Sequence, residues 1–234
     1  MYRERLVVDK RVTVRAAAGA DVTLEWVVDR PYESAVVVPR GGSLALAGVA
    51  VRHASPSVAN DFAVHVPGGS LSMAGCRVTS ASGAGVCVEG GSADIADSAV
   101  VGCVDYGVSA LADVEGARAS LALSRCAGEG RPPVVPPVVP PSPHPAWPRP
   151  GPACGAGPRT PRPRPPPAVE RNGGDGVAAI GADVSLVDCV LSGNGGAGVR
   201  LRDASVLAFD RVDVRRGNRG GGVARGPSVD GLAP

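Results

Sequence analysis

Short apolar stretches alternate with glycine clusters along most of the chain. A Gly-Val step opens many of them, at Gly85-Val86, Gly107-Val108, Gly176-Val177, Gly198-Val199 and Gly222-Val223, with Ala63-Val64 as a variant. Val64, Val86 and Val108 lie 22 residues apart, as do Val177 and Val199, and Val223 follows after 24. A second column runs Leu46, Met73, Ile95, Leu123, Leu186, Phe209. Two residues before each of these stand Leu44, Leu71, Ala93, Leu121, Val184 and Leu207, and three after stand Val49, Cys76, Ser98, Cys126, Cys189 and Val212. Every member is apolar or small. The i, i+2 spacing is that of a strand with one buried face, so the pattern predicts three short strands per repeat. Gly41-Gly42-Ser43, Gly68-Gly69-Ser70 and Gly90-Gly91-Ser92 punctuate it ahead of the second strand.

A period near 22 with three strands per turn predicts a stack of parallel β coils, none of which can bury its inner face alone. Helical repeats are longer and carry 3.6-residue stripes that are absent here, and a propeller blade needs roughly 40 residues. The predicted class is therefore all-β, a parallel β-helix of eight to nine coils.

One stretch departs from the pattern. From Arg131 to Arg171, 17 of 41 residues are proline, out of 23 in the whole chain. Such a segment lacks backbone donors and is expected to be polyproline II or disordered. The repeat locates it independently: Cys76 to Val86, Ser98 to Val108 and Cys189 to Val199 each span 10 residues, whereas Cys126 to Val177 spans 51, an excess of 41. The expected organisation is one β-helix formed by residues 1–130 and 172–234, with a disordered insert at 131–171. Pro133-Val-Val-Pro136 and Pro137-Val-Val-Pro140 offer contact points for SH3 or WW modules, the weaker of the expected partner contacts.

Composition narrows the function classes. Aromatics make up 3% of the chain, and 24 Lys+Arg against 22 Asp+Glu give a net charge of +2. Balanced charge points to neither nucleic acid nor a membrane surface as partner, and no apolar run reaches the length of a membrane span. Tyr2-Arg3-Glu4-Arg5 is followed by no apolar h-region, so no signal peptide is read. The six cysteines form no Cys-x-x-Cys pair, hence no expected metal site. Cys76, Cys126 and Cys189 share an inward column, Cys87 alternates outward, Cys103 falls in a turn and Cys154 lies in the insert, a scatter that suits a reducing compartment.

Candidate chemistry is sparse. Asp97, Asp188 and Asp210 recur before the third strand and could form an acidic ladder, but that position is a turn, where Asp bonds its own backbone. His53, His65 and His144 sit beside no recurring carboxylate, and His65 is expected outward and solvated. The outward positions His65, Cys87, Ser109, Ala178, Arg200 and Ala224 offer no carboxylate for glycan cleavage. Asn172, Asn194 and Asn218 read as a turn ladder, with Asn in the left-handed region and hydrogen-bonded along the stack. The glycine clusters are not phosphate loops, because they precede strands and Lys10 is the only lysine. No catalytic, cofactor-binding or metal-binding residue is expected.

The stretch Gly83-Ala-Gly-Val-Cys-Val-Glu-Gly-Gly-Ser-Ala-Asp-Ile-Ala-Asp-Ser98, continuing to Tyr106-Gly-Val108, resembles the β-helix region of the SHC SH2-domain-binding protein family. More broadly it is similar to the pectin-lyase-like repeats of F-box protein 11 relatives. Tyr2-Arg-Glu-Arg-Leu-Val-Val-Asp-Lys10 looks like the entry rung of those solenoids. The resemblance covers residues 1–130 and 172–234. It implies a single-stranded right-handed parallel β-helix acting as a non-enzymatic scaffold for protein partners, in the cytoplasm and associated with the cytoskeleton. The alternative reading is a carbohydrate-active or carbohydrate-binding β-helix.

Overall fold

The computed structural model describes residues 1–28, 30–56, 62–125, 168–214 and 217–226. Over these residues the chain is an all-β solenoid of three parallel sheets. An eight-stranded sheet contains Leu6–Val7, Val36–Val37, Phe62–Pro67, Ala84–Glu89, Val108–Leu111, Val177–Ile180, Val199–Arg202 and Val223–Arg225. A seven-stranded sheet contains Arg11–Arg15, Ser43–Ala47, Ser70–Ala74, Ser92–Ala96, Ser120–Ser124, Asp183–Val187 and Val206–Asp210. A six-stranded sheet contains Val22–Val27, Val49–Ala54, Arg77–Ser80, Ala99–Val101, Val169–Glu170 and Leu191–Ser192. The longest sheet counts eight coils among the described residues, the lower of the two expected numbers.

The register reproduces the sequence columns. Val64, Val86, Val108, Val177, Val199 and Val223 pair in succession, as do Leu46, Met73, Ile95, Leu123, Leu186 and Phe209. Their side chains fill the solenoid and are almost wholly buried from Leu44 to Leu201. The last coil differs. Phe209 stands in the core column yet is 63% exposed, because no described coil stacks on it. Arg225 occupies the inward column of Val66, Val88, Ala110, Ala179 and Leu201, where an inward charge blunts a sheet edge.

The Gly-Gly-Ser punctuation has a steric origin. Gly68 has φ +79°, a left-handed conformation that costs a side-chain-bearing residue energy. At Gly69 a Cβ would stand 2.3 Å from the Val38 carbonyl oxygen, so the turn closes against the preceding coil only without a side chain. The turn between the seven- and six-stranded sheets is built differently. Gly48, Gly75, Asp97, Arg125, Asp188 and Arg211 all have φ between 49° and 69° and share one column. Aspartate tolerates this region, but arginine rarely enters it.

The expected insert ends too late. Val169–Glu170 pairs with Val100 and Val101 on one side and with Leu191 and Ser192 on the other, so residues 168–171 belong to the coil. Asp97 and Val100 are three residues apart, while their partners in the next coil, Arg125 and Val169, are 44 apart. The excess is again 41 residues, placed between Arg125 and Ala168 rather than over 131–171. Composition misplaces the boundary because Arg171 is read with the basic, proline-rich run, whereas the ladder has already resumed at Ala168, whose carbonyl accepts from the Val100 N–H. The proline motifs, Cys126, His144 and Cys154 lie outside the described residues.

Candidate interaction face

Four groupings of side chains stand out among the described residues, set by the strands and bends that carry them. The first is the bend between the six- and eight-stranded sheets. Asn172 Nδ2 donates to Asn194 Oδ1 at 3.0 Å, and Asn194 Nδ2 donates to Asn218 Oδ1 at 2.9 Å. The Cys103 N–H donates to Asn172 Oδ1 at 3.0 Å, extending the ladder one coil further back. The ladder expected from the sequence is therefore present, but its backbone differs. The left-handed residues are Gly102, Arg171, Gly193 and Gly217, each one position earlier, which turns the asparagine side chains into the bend. In the first coils of the same bend stands buried His53, whose Nε2–H meets the Glu33 carbonyl at 2.9 Å while Nδ1 lies 3.3 Å from Ser80 Oγ and 3.2 Å from Ser82 Oγ. His53, Ser80 and Ser82 are all buried, with His53 and Ser80 at the floor of a shallow surface depression.

The second place is the outer face of the eight-stranded sheet. His65, Cys87, Ser109, Ala178, Arg200 and Ala224 do form one column, as expected. Their depth is not as expected. Cys87 is 1% exposed, between His65 and Ser109 on adjoining strands, and burial pushes its thiol up to about 12. Cys103, expected in a turn, is buried as well, and burial likewise raises its thiol to about 12. His65 is half-buried rather than solvated: its ring lies 5.1 Å from Phe62 and its Nε2 meets Glu89 Oε2 at 3.3 Å. Burial lowers its pKa, and Glu89 opposes that shift. A cysteine beside a carboxylate-bonded histidine has the outline of a nucleophile and base, but a thiol held protonated inside the face is not a nucleophile. Further along this face the buried Asp175 carboxylate accepts from Arg200 Nη2 at 2.9 Å and from the Ala197 N–H at 2.6 Å. Asp105, raised by burial and by the Asp175 charge, and Tyr106 lie beside it.

The third is the left-handed column. Asp97 and Asp188 do occupy turns, but their carboxylates reach the next described rung instead of their own backbone. Arg125 Nη2 donates to Asp97 Oδ2 at 3.1 Å, and Arg211 Nη2 donates to Asp188 Oδ2 at 2.8 Å. The Arg211 guanidinium holds the Asp188 carboxyl below the usual range. Asp210 is not a member of the column: it ends the strand Val206–Asp210, and Arg211 takes the turn position while also donating to Asp210 Oδ2 at 2.6 Å. The step from Leu186 to Phe209 is 23 residues rather than 22, so Asp210, 22 residues after Asp188, falls one position short of the turn.

The fourth is the outer face of the seven-stranded sheet, and it has no counterpart among the residues singled out from the sequence. Its columns read Arg11, Ser43, Ser70, Ser92, Ser120, Asp183, Val206; then Thr13, Ala45, Ser72, Asp94, Ala122, Ser185, Ala208; then Arg15, Ala47, Ala74, Ala96, Ser124, Val187, Asp210. From the second to the sixth strand nothing larger than valine points outward, which leaves a plane of Ser and Ala, interrupted by Asp94, Asp183 and Val187, at the regular strand spacing of about 4.8 Å. The serines of the three Gly-Gly-Ser steps each open a strand and stand together in the first of these columns; reading i, i+2, i+4 from them locates the face, whereas following apolar columns alone passes over it.

Among the described residues no three His, Cys, Asp or Glu side chains converge on a possible metal position, and no helix is long and apolar enough to cross a membrane. A shallow depression of about 230 Å³ on the six-stranded sheet is lined by Glu25, Arg52, His53, Thr79 and Ser80, with Glu25 held by Arg3 at 3.3 Å. In comparisons with known proteins, no family model, no curated protein and no solved structure matches this chain.

Proposed function

We propose that this chain is a non-catalytic interaction scaffold whose binding face is the flat outer surface of the seven-stranded sheet. The Ser/Ala plane carries the reading. Alanine loses no side-chain entropy on being covered and serine little, and a regular pleat presents a surface that another flat element can meet without rearrangement. Four of the carboxylates are engaged in pairs between coils. Asp97, Asp175 and Asp188 hold arginines of other coils, and Glu89 holds His65. The resemblance of Gly83–Val108 to scaffold β-helices supports the same reading, and the buried thiols of Cys87 and Cys103 suit a reducing, cytoplasmic setting.

The test places bulk and charge on the plane. Ala45→Arg with Ala122→Arg should leave the melting temperature nearly unchanged, since both positions point outward, while removing neighbours captured by proximity labelling of the wild-type chain. An unchanged set of neighbours would sink the scaffold assignment. Turnover of a uronan that disappears in Asp188→Ala would replace it with the carbohydrate-active alternative.

A further inference from the structure

We propose that the flat face takes a second copy of this chain, packed face to face about a two-fold axis that lies along the strand Ser92–Ala96. This rests on the reading of that plane as a binding face, and the distribution of charge across it selects the partner. Arg11 and Arg15 point outward from the first strand, and both are exposed. Asp210 points outward from the last strand, and Arg211 is divided between Asp210 and Asp188, so that corner keeps a net negative charge. Between them lie uncharged small side chains, broken by Asp94 on the middle strand and by Asp183, which Arg118 holds at 2.6 Å.

A two-fold axis along the solenoid would keep the order of coils and reverse position along each strand, setting Arg15 of each copy against Arg11 of the other and leaving Asp210 over Val206. The axis along the middle strand reverses the order of coils and keeps position along each strand. It therefore sets Arg15 of each copy over Asp210 of the other, twice. The same operation sets Asp94 opposite its own copy on the axis, a like-charge contact that limits affinity. Seven strands at about 4.8 Å and five residues at about 3.3 Å give a face of roughly 500 Å² per copy. The total of roughly 1,000 Å² is at the lower limit for a specific interface, so the association is weak, in the micromolar range or above.

Sedimentation equilibrium of the full chain over a concentration series reads this directly. Reversible dimerisation that weakens with added salt is expected, because the rim charges are screened. Asp210→Arg should weaken it about tenfold, Arg15→Asp likewise, and the two together should restore it. Asp94→Asn should tighten it several-fold. Asp94→Cys should be joined to itself by a short bismaleimide under conditions where the wild-type chain, with its own cysteines, is not. A monomer at all concentrations, or a charge swap without rescue, overturns the proposal. If that happens while Ala45→Arg with Ala122→Arg still strips neighbours, the scaffold reading stands with a different occupant; if neither changes, both readings fall.

Discussion

Asn194 shows how much one side chain does in this wall. It accepts from Asn172 Nδ2 and from the Asn172 N–H, and it donates to Asn218 Oδ1 and to the Val169 carbonyl, all without exposure to water. Asn194→Ala strands buried donors and acceptors on the two neighbouring coils and is expected to cost roughly 2–3 kcal/mol in urea unfolding, with no change in the unfolding slope. Cys87 gives a kinetic prediction at the same scale. Its thiol, pushed up to about 12, should react with a maleimide only as the protein opens, so its labelling rate should follow denaturant as unfolding does. The alternation of Val86, Cys87 and Val88 was enough to assign Cys87 to the outer side. Parity gives the face of a strand but not the depth, which here is set by His65 and Ser109 on neighbouring strands.

The elements are held in register by devices that span several of them. Arg40 Nη2 reaches Asp113 Oδ2 and Glu115 Oε2, each at 3.1 Å, across two intervening coils. Glycines make the passage: a Cβ on Gly68 would stand 3.2 Å from the Arg40 Cβ, and one on Gly90 would stand 2.6 Å from Asp113 Oδ2. Arg40 is 67% exposed along its side chain, so Arg40→Ala should cost less than about 1 kcal/mol. Gly90→Ala should cost more, roughly 1–3 kcal/mol, since it forces alanine to φ +60° and into the Asp113 carboxylate. The reverse order would mean that the ion pair, not the backbone, holds this edge. Strand positions were legible in the sequence because buried columns repeat within narrow chemical limits. Cross-coil pairs such as Arg40 with Asp113, or Arg200 with Asp175, were not, since partners lie 73 and 25 residues apart and long side chains reach them without any periodic signal.

At the scale of the whole molecule, the coil register survives an interruption of 41 residues between Arg125 and Ala168. Deleting residues 127–167 would join Cys126 to Ala168 and restore the spacing of the preceding coil. The shorter chain should retain its strand signal and gain stability by roughly 2 kcal/mol, the entropy of closing a long loop. A marked loss of stability would show that the segment contributes packing. Proline content made the interruption visible from the sequence, but only strand pairing places its edges.

That interruption also gives the solenoid an uneven mechanical signature. Pulled from its two ends, a stack of parallel coils yields by peeling, and each coil of 22 residues releases roughly 75 Å of contour. The coil that carries the interruption keeps the ends of an additional 41 residues together until it opens. Its opening should therefore appear as one extension step about three times as long as its neighbours. The position of that step in the sequence of events would report the end from which the stack comes apart.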